Sequence, residues 1–344
     1  MILTLQLVIA CSLVIYSGMK ITEKGDQLED VVGISAGIVG TVLLAATTSL
    51  PEFVATFSSI YYLNAPQLAL GNIFGSNTFN LVILAILDLF FIKEIIYRKA
   101  PVSVLKALAV GQIMTGFALA GIYLNGSNYI MSVAISEKPM FLMSYFSLMI
   151  LLTYLLTFKS TTESDPTIDA DSEDEVEFQE DKSPISPTRL ITEFIFFAIL
   201  VVGSGIWLTY VCDEVAAVTG LGTTFIGSIL LAFATSLPEA TVCTVAAKLG
   251  AFHLVFGNVL GSNIFNLFIL GLADFSTPNV AMLSVKDVQL NFVTGFGSLI
   301  MSSIVIFAMF YRGSKRSSRL ISVILFAIYM VTFYIMFLQQ QIPY

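Results

Sequence analysis

The segment LLAATTSLPE, Leu43 to Glu52, returns as LLAFATSLPE, Leu230 to Glu239, nearly half the chain away. A second segment follows each copy at almost the same distance: GNIFGSNTFN, Gly71 to Asn80, returns as GNVLGSNIFN, Gly257 to Asn266. From Gly40 to Glu52, 9 of 13 positions match their counterparts, and from Gly71 to Asp88, 11 of 18 match. The repeated residues are mostly polar, whereas nearly everything around them is apolar. A chain with this pattern has to fold as two similar halves. It must also find partners for polar groups that interrupt long apolar runs.

Hydrophobic residues make up 56% of the 344 and charged residues 12%, with a mean hydropathy of +0.88. Soluble domains carry about 25% charged residues, so the chain reads as an integral membrane protein with no separate soluble domain. The net charge of −8 is set by one stretch: ten acids and no base lie between Glu163 and Asp181, and the remainder holds 14 acids against 16 bases. The acidity therefore carries no information about partners of the membrane body. Inorganic cations and the lipid bilayer are the expected partners, with no nucleic acid and no obligate protein partner evident. Cys11, Cys212 and Cys243 share no metal or redox spacing and read as buried thiols. No basic region precedes the first apolar run, so a cleavable signal peptide is not expected.

A bilayer core about 30 Å thick takes roughly 20 apolar residues per helix. Ten candidate spans follow, at about 2–19, 31–62, 66–91, 101–124, 140–158, 191–212, 218–248, 252–274, 287–311 and 319–340. With the N-terminus outside, thirteen Lys and Arg fall on inside loops, only Lys138 and Lys286 fall outside, and Lys106 lies within a helix. The positive-inside rule therefore orients the bundle. Ten spans with one internal repeat give five per half, and an odd number makes the second half enter the membrane from the opposite side. The expected fold is an all-α membrane protein of ten transmembrane helices in two inverted five-helix repeats, with the N- and C-termini outside. The repeats are residues 1–158 and 191–344, and the acidic, Ser- and Pro-containing stretch 159–190 is a cytoplasmic linker. The expected residence is multi-pass in the cell membrane, with an organelle membrane left open.

Glu52 and Glu239 lie deep inside apolar runs, where a carboxylate costs a few kcal/mol, about 2.5–3.5 for Asp on insertion scales. The bland alternative is a pair of protonated glutamates that glue helices together. Pro51 and Pro238 sharpen the case, because proline lacks an N–H and clashes with the carbonyl four residues back. Each long helix should kink there and free carbonyl oxygens around Ala45 to Thr48 and Ala232 to Thr235. In a membrane such groups persist only where something satisfies them: a cation, or Ser and Thr hydroxyls and water, or both. Ser76 and Asn80 are four residues apart, as are Ser262 and Asn266, so each pair shares a helix face. Gly71 with Gly75, and Gly257 with Gly261, form G-x-x-x-G patterns that let helices approach closely.

These positions offer carboxylates, hydroxyls, amide oxygens and backbone carbonyls. Such an all-oxygen set suits a hard cation such as Ca²⁺, which takes roughly six to eight oxygens. No His or Cys is evident beside the motifs, which argues against Zn²⁺ or copper. Asp88 and Asp274 also match between the halves. They read as solvated helix ends or as guards of an entrance. An intramembrane hydrolase is not supported: the sole histidine, His253, opens a helix without a serine nucleophile motif, and Asp26 in Gly25-Asp26 reads as a loop residue.

T-S-L-P-E followed by G-N-x-x-G-S-N-x-x-N, once in each half, resembles the alpha repeats of the Ca²⁺/cation antiporter superfamily, most of all those of prokaryotic-type sodium/calcium exchangers. The resemblance implies a secondary-active antiporter that exchanges Ca²⁺ for Na⁺ by alternating access, without a cofactor and without enzymatic activity. It implies Glu52 and Glu239 as the main ligands. Thr48, Ser49, Thr235, Ser236, Ser76, Ser262 and Asn80 would support them, with Asn266 opposite Asn80 and the carbonyls of Ala45 and Ala232. Many relatives have Asp where Asn266 stands, so this centre has two carboxylates rather than three. Many also have Gly-Thr-Ser where this chain has Thr47-Thr48-Ser49 and Ala234-Thr235-Ser236, which stiffens the kink. The missing Asp leaves the coupling ion open, and a Ca²⁺/H⁺ or K⁺-coupled exchanger of the same fold is the alternative. Helices one and six, with Gly18, Gly203 and Gly205, are expected to slide against the rest.

Overall fold

The computed structural model describes residues 2–32, 45–91, 95–101, 103–126, 132–134, 142–162, 186–276, 282–284, 289–311 and 313–340. Helix α1 is Ile2–Val32. A single helical turn at 45–48 leads into α2, Leu50–Tyr61, and α3 is Pro66–Ile86, extended by a π turn at Leu87–Phe91. Then come α4, Ser103–Gly126, α5, Tyr145–Thr162, and α6, Pro187–Thr219. Helix α7, Thr223–Thr235, is bent by 45° from α8, Leu237–Leu249. The chain continues with α9, Phe252–Ser276, α10, Gln289–Phe310, and α11, Lys315–Gln340.

Among the described residues seven helices are long and apolar enough to cross a membrane, or eight if α7 and α8 form one broken span. Helix α5 adds a shorter apolar stretch, Tyr145–Thr157. The chain is therefore a multi-pass membrane protein. Every hydropathy segment contains described helix, with two local differences. The segment expected at 140–158 begins as a strand: Leu142–Ser144 (β2) pairs antiparallel with Ser132–Ala134 (β1) before α5 starts at Tyr145. Asp26, read as a loop residue, lies on α1, which runs through Gly25 to Val32. Glycine costs a helix about 1 kcal/mol, and here neighbouring contacts outweigh it. Lys20 Nζ bonds Glu23 (2.6 Å), and Lys24 Nζ reaches Glu193 on α6 at 3.1 Å. Burial alone would raise the Glu23 carboxyl, but the hydrogen bonds and charges of Lys20 and Lys24 hold it below its ordinary range.

The helices that carry the second repeated motif form the centre. The apolar stretch of α3 is 83% buried and that of α9 72%, against 22% for α1. Polar groups of the motif have no solvent to turn to, so they turn inward against each other. Close packing makes this possible. A Cβ on Gly75 would lie 2.3 Å from the Ser228 carbonyl oxygen, one on Gly71 2.6 Å from that of Thr224, and one on Gly227 2.5 Å from that of Leu68. Ser228 belongs to a π turn, Gly227–Leu231, inside α7. That wider turn presents backbone to α3 just before the bend.

Helix α1 packs lengthwise on α6 and crosses over both proline breaks. A Cβ on Gly18 would lie 2.4 Å from Pro238 Cγ and 3.7 Å from Pro51 Cγ. Gly205 on α6 is similarly close to Val54 (2.9 Å), whereas nothing lies within 4 Å of a Cβ at Gly203. These contrasts set an expectation for substitution. Gly75→Ala should lower stability toward the upper end of about 1–3 kcal/mol, because backbone rather than a flexible side chain blocks the methyl. Gly203→Ala should be neutral or slightly stabilising. Thermal unfolding of the two purified variants checks the pair.

Candidate cation site

Both breaks fall on the serine of the T-S-L-P-E motif. Ser49 (φ −84°, ψ 10°) and Ser236 (φ −88°, ψ 7°) leave helical geometry, and proline stands in the first turn of the helix that follows each. The next residue after each proline is the glutamate. Glu52 and Glu239 therefore project from the first turns of α2 and α8, and both are fully buried.

Each carboxylate is held by one hydroxyl from its own half and one from the other. Glu52 Oε1 accepts from Ser236 Oγ at 2.8 Å and from Ser76 Oγ at 3.4 Å. Glu239 Oε1 accepts from Ser49 Oγ at 3.2 Å and from Ser262 Oγ at 3.4 Å. The two breaks thus face each other across the molecule's centre, and each supplies the serine that the opposite glutamate needs. Thr48 and Thr235 occupy equivalent places: Thr48 Oγ1 lies 3.2 Å from Asn258 Oδ1, and Thr235 Oγ1 lies 3.2 Å from Asn72 Oδ1. Asn72 and Asn258 in turn donate to the backbone carbonyls of Glu52 and Glu239, each at 3.4 Å.

Asn80 and Asn266 each meet an asparagine of the opposite half between α3 and α9. Asn80 Nδ2 donates to Asn263 Oδ1 and Asn266 Nδ2 to Asn77 Oδ1, both at 3.0 Å. Four oxygens of the motif remain buried without a hydrogen-bond partner among the described residues: Glu52 Oε2, Glu239 Oε2, Asn80 Oδ1 and Asn266 Oδ1. Burying such acceptors unpaired is costly. Carboxylate and amide oxygens are of the kind that hard cations take as ligands. Among the described residues no three His, Cys, Asp or Glu cluster in a metal-holding group.

The sequence expectations need three corrections. First, the carbonyls of Ala45 and Ala232 are not orphaned. Each accepts a backbone amide, from Ser49 or Ser236 at 3.0 Å, and a threonine hydroxyl, from Thr48 at 3.1 Å or Thr235 at 3.2 Å. Both lone pairs are used, so either carbonyl could serve a cation only by giving up a bond. Secondly, Asp88 and Asp274 are not solvated helix ends, since both are fully buried. Asp88 accepts from the Ile96 amide (3.2 Å) and the Ser322 hydroxyl (2.7 Å), and Ser322 also meets the Tyr97 hydroxyl at 3.0 Å. Asp274 accepts from the Ser144 amide (2.8 Å) and the Met282 amide. Each aspartate ties down the segment that follows its helix or the start of β2–α5 rather than opening toward water. Thirdly, a cysteine does stand beside the motif: Cys243 Sγ lies 3.4 Å from Asn258 Nδ2, where the first half has the Thr56 hydroxyl 3.4 Å from Asn72 Nδ2.

The residues missed in sequence are Asn72, Asn77, Asn258 and Asn263. All four stood in the quoted motif, and their spacing from Ser76, Ser262, Asn80 and Asn266 carried the signal: a helix with five polar residues in nine, or four in the second copy, needs partners on more than one face.

Two broken helices that face each other across a pair of buried glutamates, in a multi-pass membrane protein, match the architecture of cation antiporters. The sodium/calcium exchanger protein family profile matches residues 2–160 and 190–338, and the chain belongs to that family. A putative antiporter, CaxA, of Alkalimonas amylolytica is 24% identical over 287 residues, covering 81% of this chain and 82% of the relative. The sodium-calcium exchanger NCX_Mj has the same fold, with a TM-score of 0.60 at 20% identity over 97% of this chain and 98% of that one. An H⁺/Ca²⁺ exchanger, CAX, is similarly alike in fold, with a TM-score of 0.59 at 14% identity over 98% of this chain and 88% of that one.

The aspartate clamps give a separable prediction. Asp274→Ala leaves two amides without their charged acceptor and should cost about 1.5–3 kcal/mol per lost bond. Thermal unfolding of the purified variant should register the loss.

Proposed function

We propose that this chain exchanges Ca²⁺ for Na⁺ by alternating access at the centre formed by Glu52, Glu239, Asn80 and Asn266. The four unpartnered buried oxygens carry this reading, because they are the acceptors a dehydrated cation needs and no described residue uses them. Ser49, Ser76, Ser236 and Ser262 hold the carboxylates in place, and Thr48 and Thr235 add hydroxyls at the breaks. In this reading the chain crosses the membrane ten times in two inverted repeats, 1–158 and 191–344. The acidic linker 159–190 is cytoplasmic and both termini are outside.

The charge balance supplies the exchange rule. Two carboxylates are neutralised by one Ca²⁺, by two Na⁺ or by two protons. An empty centre exposes two uncompensated charges in a medium where each costs several kcal/mol, so the empty site is a poor traveller. A loaded site crosses, and leak is suppressed. Helices α1 and α6, packed together and bridged by Lys24 and Glu193, are the pair expected to slide over the breaks.

A second reading, Ca²⁺/H⁺ exchange, rests on the same charge balance. With Asn266 in place of a third carboxylate, two protons neutralise the centre as fully as two Na⁺ do. The two readings part in proteoliposomes. Ca²⁺ uptake should follow an imposed Na⁺ gradient and fall below about a tenth in Glu52→Gln and in Glu239→Gln, the equivalent of about 1.4 kcal/mol or more. Uptake driven by a pH gradient without Na⁺ assigns the proton reading instead. Undiminished uptake in both variants overturns the site, and K⁺ and Li⁺ gradients complete the series.

A further inference from the structure

Four carboxamides meet where α3 passes α9. Asn77 Nδ2 donates to the backbone carbonyl of Asn263 at 3.2 Å, and Asn263 Nδ2 donates to that of Asn77 at 3.1 Å. A backbone carbonyl has lone pairs and no proton. Whichever end of each side chain faces it must therefore be the NH₂ end. This settles the amide orientations from the backbone outward, without appeal to the side chains themselves.

The consequence passes on one step. With their NH₂ groups committed, Asn77 and Asn263 present oxygen at the other end. Asn77 Oδ1 faces Asn266 and Asn263 Oδ1 faces Asn80, each across 3.0 Å. An oxygen there accepts only, so Asn266 and Asn80 must turn their NH₂ groups toward it. Their own oxygens are left on the far side, fully buried and without a hydrogen-bond partner among the described residues. Turning either amide over would set oxygen against oxygen and bury an unpaired donor, which is costly in a low-dielectric interior.

We propose that Asn77 and Asn263 are positioning residues that lock Asn80 and Asn266 with their oxygens, not their NH₂ groups, toward the transported cation. The proposal rests on the cation-site reading above. An unrestrained asparagine can present either end, and only one end binds a cation. The lock converts an ambiguous side chain into a fixed acceptor. Its wiring crosses between the halves: Asn77 of the first half orients Asn266 of the second, and Asn263 orients Asn80. Substituting one asparagine in the pair must therefore be felt in the opposite half and not in its own.

A double-mutant cycle tests this, read by equilibrium Ca²⁺ binding to the purified full chain with Glu52→Gln as reference. Asn77→Ala should weaken Ca²⁺ binding about tenfold, the scale of one misplaced hydrogen-bonding group. In an Asn266→Ala background the same substitution should add almost nothing, because the residue it orients is gone. In an Asn80→Ala background it should again cost about tenfold. Asn263→Ala should show the reverse pattern. A merely structural residue would weaken binding equally in both backgrounds, and that result overturns the proposal, as does no effect in either.

Should an alanine variant fail to fold, Asn77→Asp and Asn263→Asp preserve the side-chain shape and the accepting oxygen. In them Asn266→Ala or Asn80→Ala, respectively, should still weaken binding, and loss of that effect overturns the lock. Failure of all four to fold also overturns it, since the residues would then be structural. If wild type and Glu52→Gln bind Ca²⁺ alike, the cation-site reading falls and the lock with it. If Glu52→Gln loses binding while the cycle is flat, only the lock falls.

Discussion

Two glutamates with no exposed surface, in the middle of a chain that is more than half apolar, constrain everything else in this molecule. Neither can be satisfied by its own half alone. Each takes one serine from the adjacent helix of its repeat and one from the opposite break, and the stronger of these is the one that crosses over: 2.8 Å against 3.4 Å for Glu52, and 3.2 Å against 3.4 Å for Glu239. The halves are thus joined through charge-assisted hydrogen bonds at the point where a lone charge would be least tolerable. The bends, the prolines and the glycine-lined crossings of α3 with α7 are what bring those serines within reach.

The same logic explains why the centre is symmetric. Threonine, serine, glutamate and asparagine meet their counterparts in matching geometry on both sides, and the departures are few. One is Thr56 against Cys243, which exchanges a hydroxyl for a thiol at the same contact with an asparagine amide. The thiol is larger and softer, so the two faces of the centre are alike in shape but not in polarisability. The centre offers equal numbers of carboxylates on both sides and slightly unequal surroundings.

Much of this was legible in the sequence, because a polar motif repeated inside apolar runs leaves little freedom. Glu52 and Glu239 announce themselves by cost, and Pro51 and Pro238 announce the breaks by chemistry. The misreadings have a common cause. Asp88 and Asp274 sit near helix ends in the sequence, but their partners, at Ile96, Ser322, Ser144 and Met282, return from distant or irregular segments that no periodicity marks. The carbonyls of Ala45 and Ala232 looked free because each lies just before a proline break, yet the donor that proline removes would have faced Thr47 or Ala234, and Ala45 and Ala232 keep the amides of Ser49 and Ser236. Gly25-Asp26 resembled a breaker, and α1 continues because its neighbour α6 gives Lys24 a partner. Asn77 and Asn263 were visible but mute: their meaning lies in a pairing between two helices 186 residues apart.

Gly18 adds a mechanical aspect. It lets α1 lie across both prolines at once, so a single position on one helix is fitted to both bends. One helical turn away in either direction, about 5.4 Å along the axis, stand Val14 and Ile21, both buried and branched at Cβ. Neither neighbouring register of α1 has a notch where the prolines need it. Helix α1 is therefore indexed rather than free-running: it rests where the notch engages Pro238, and a side chain carried into that position would press on the second break before it pressed on the first.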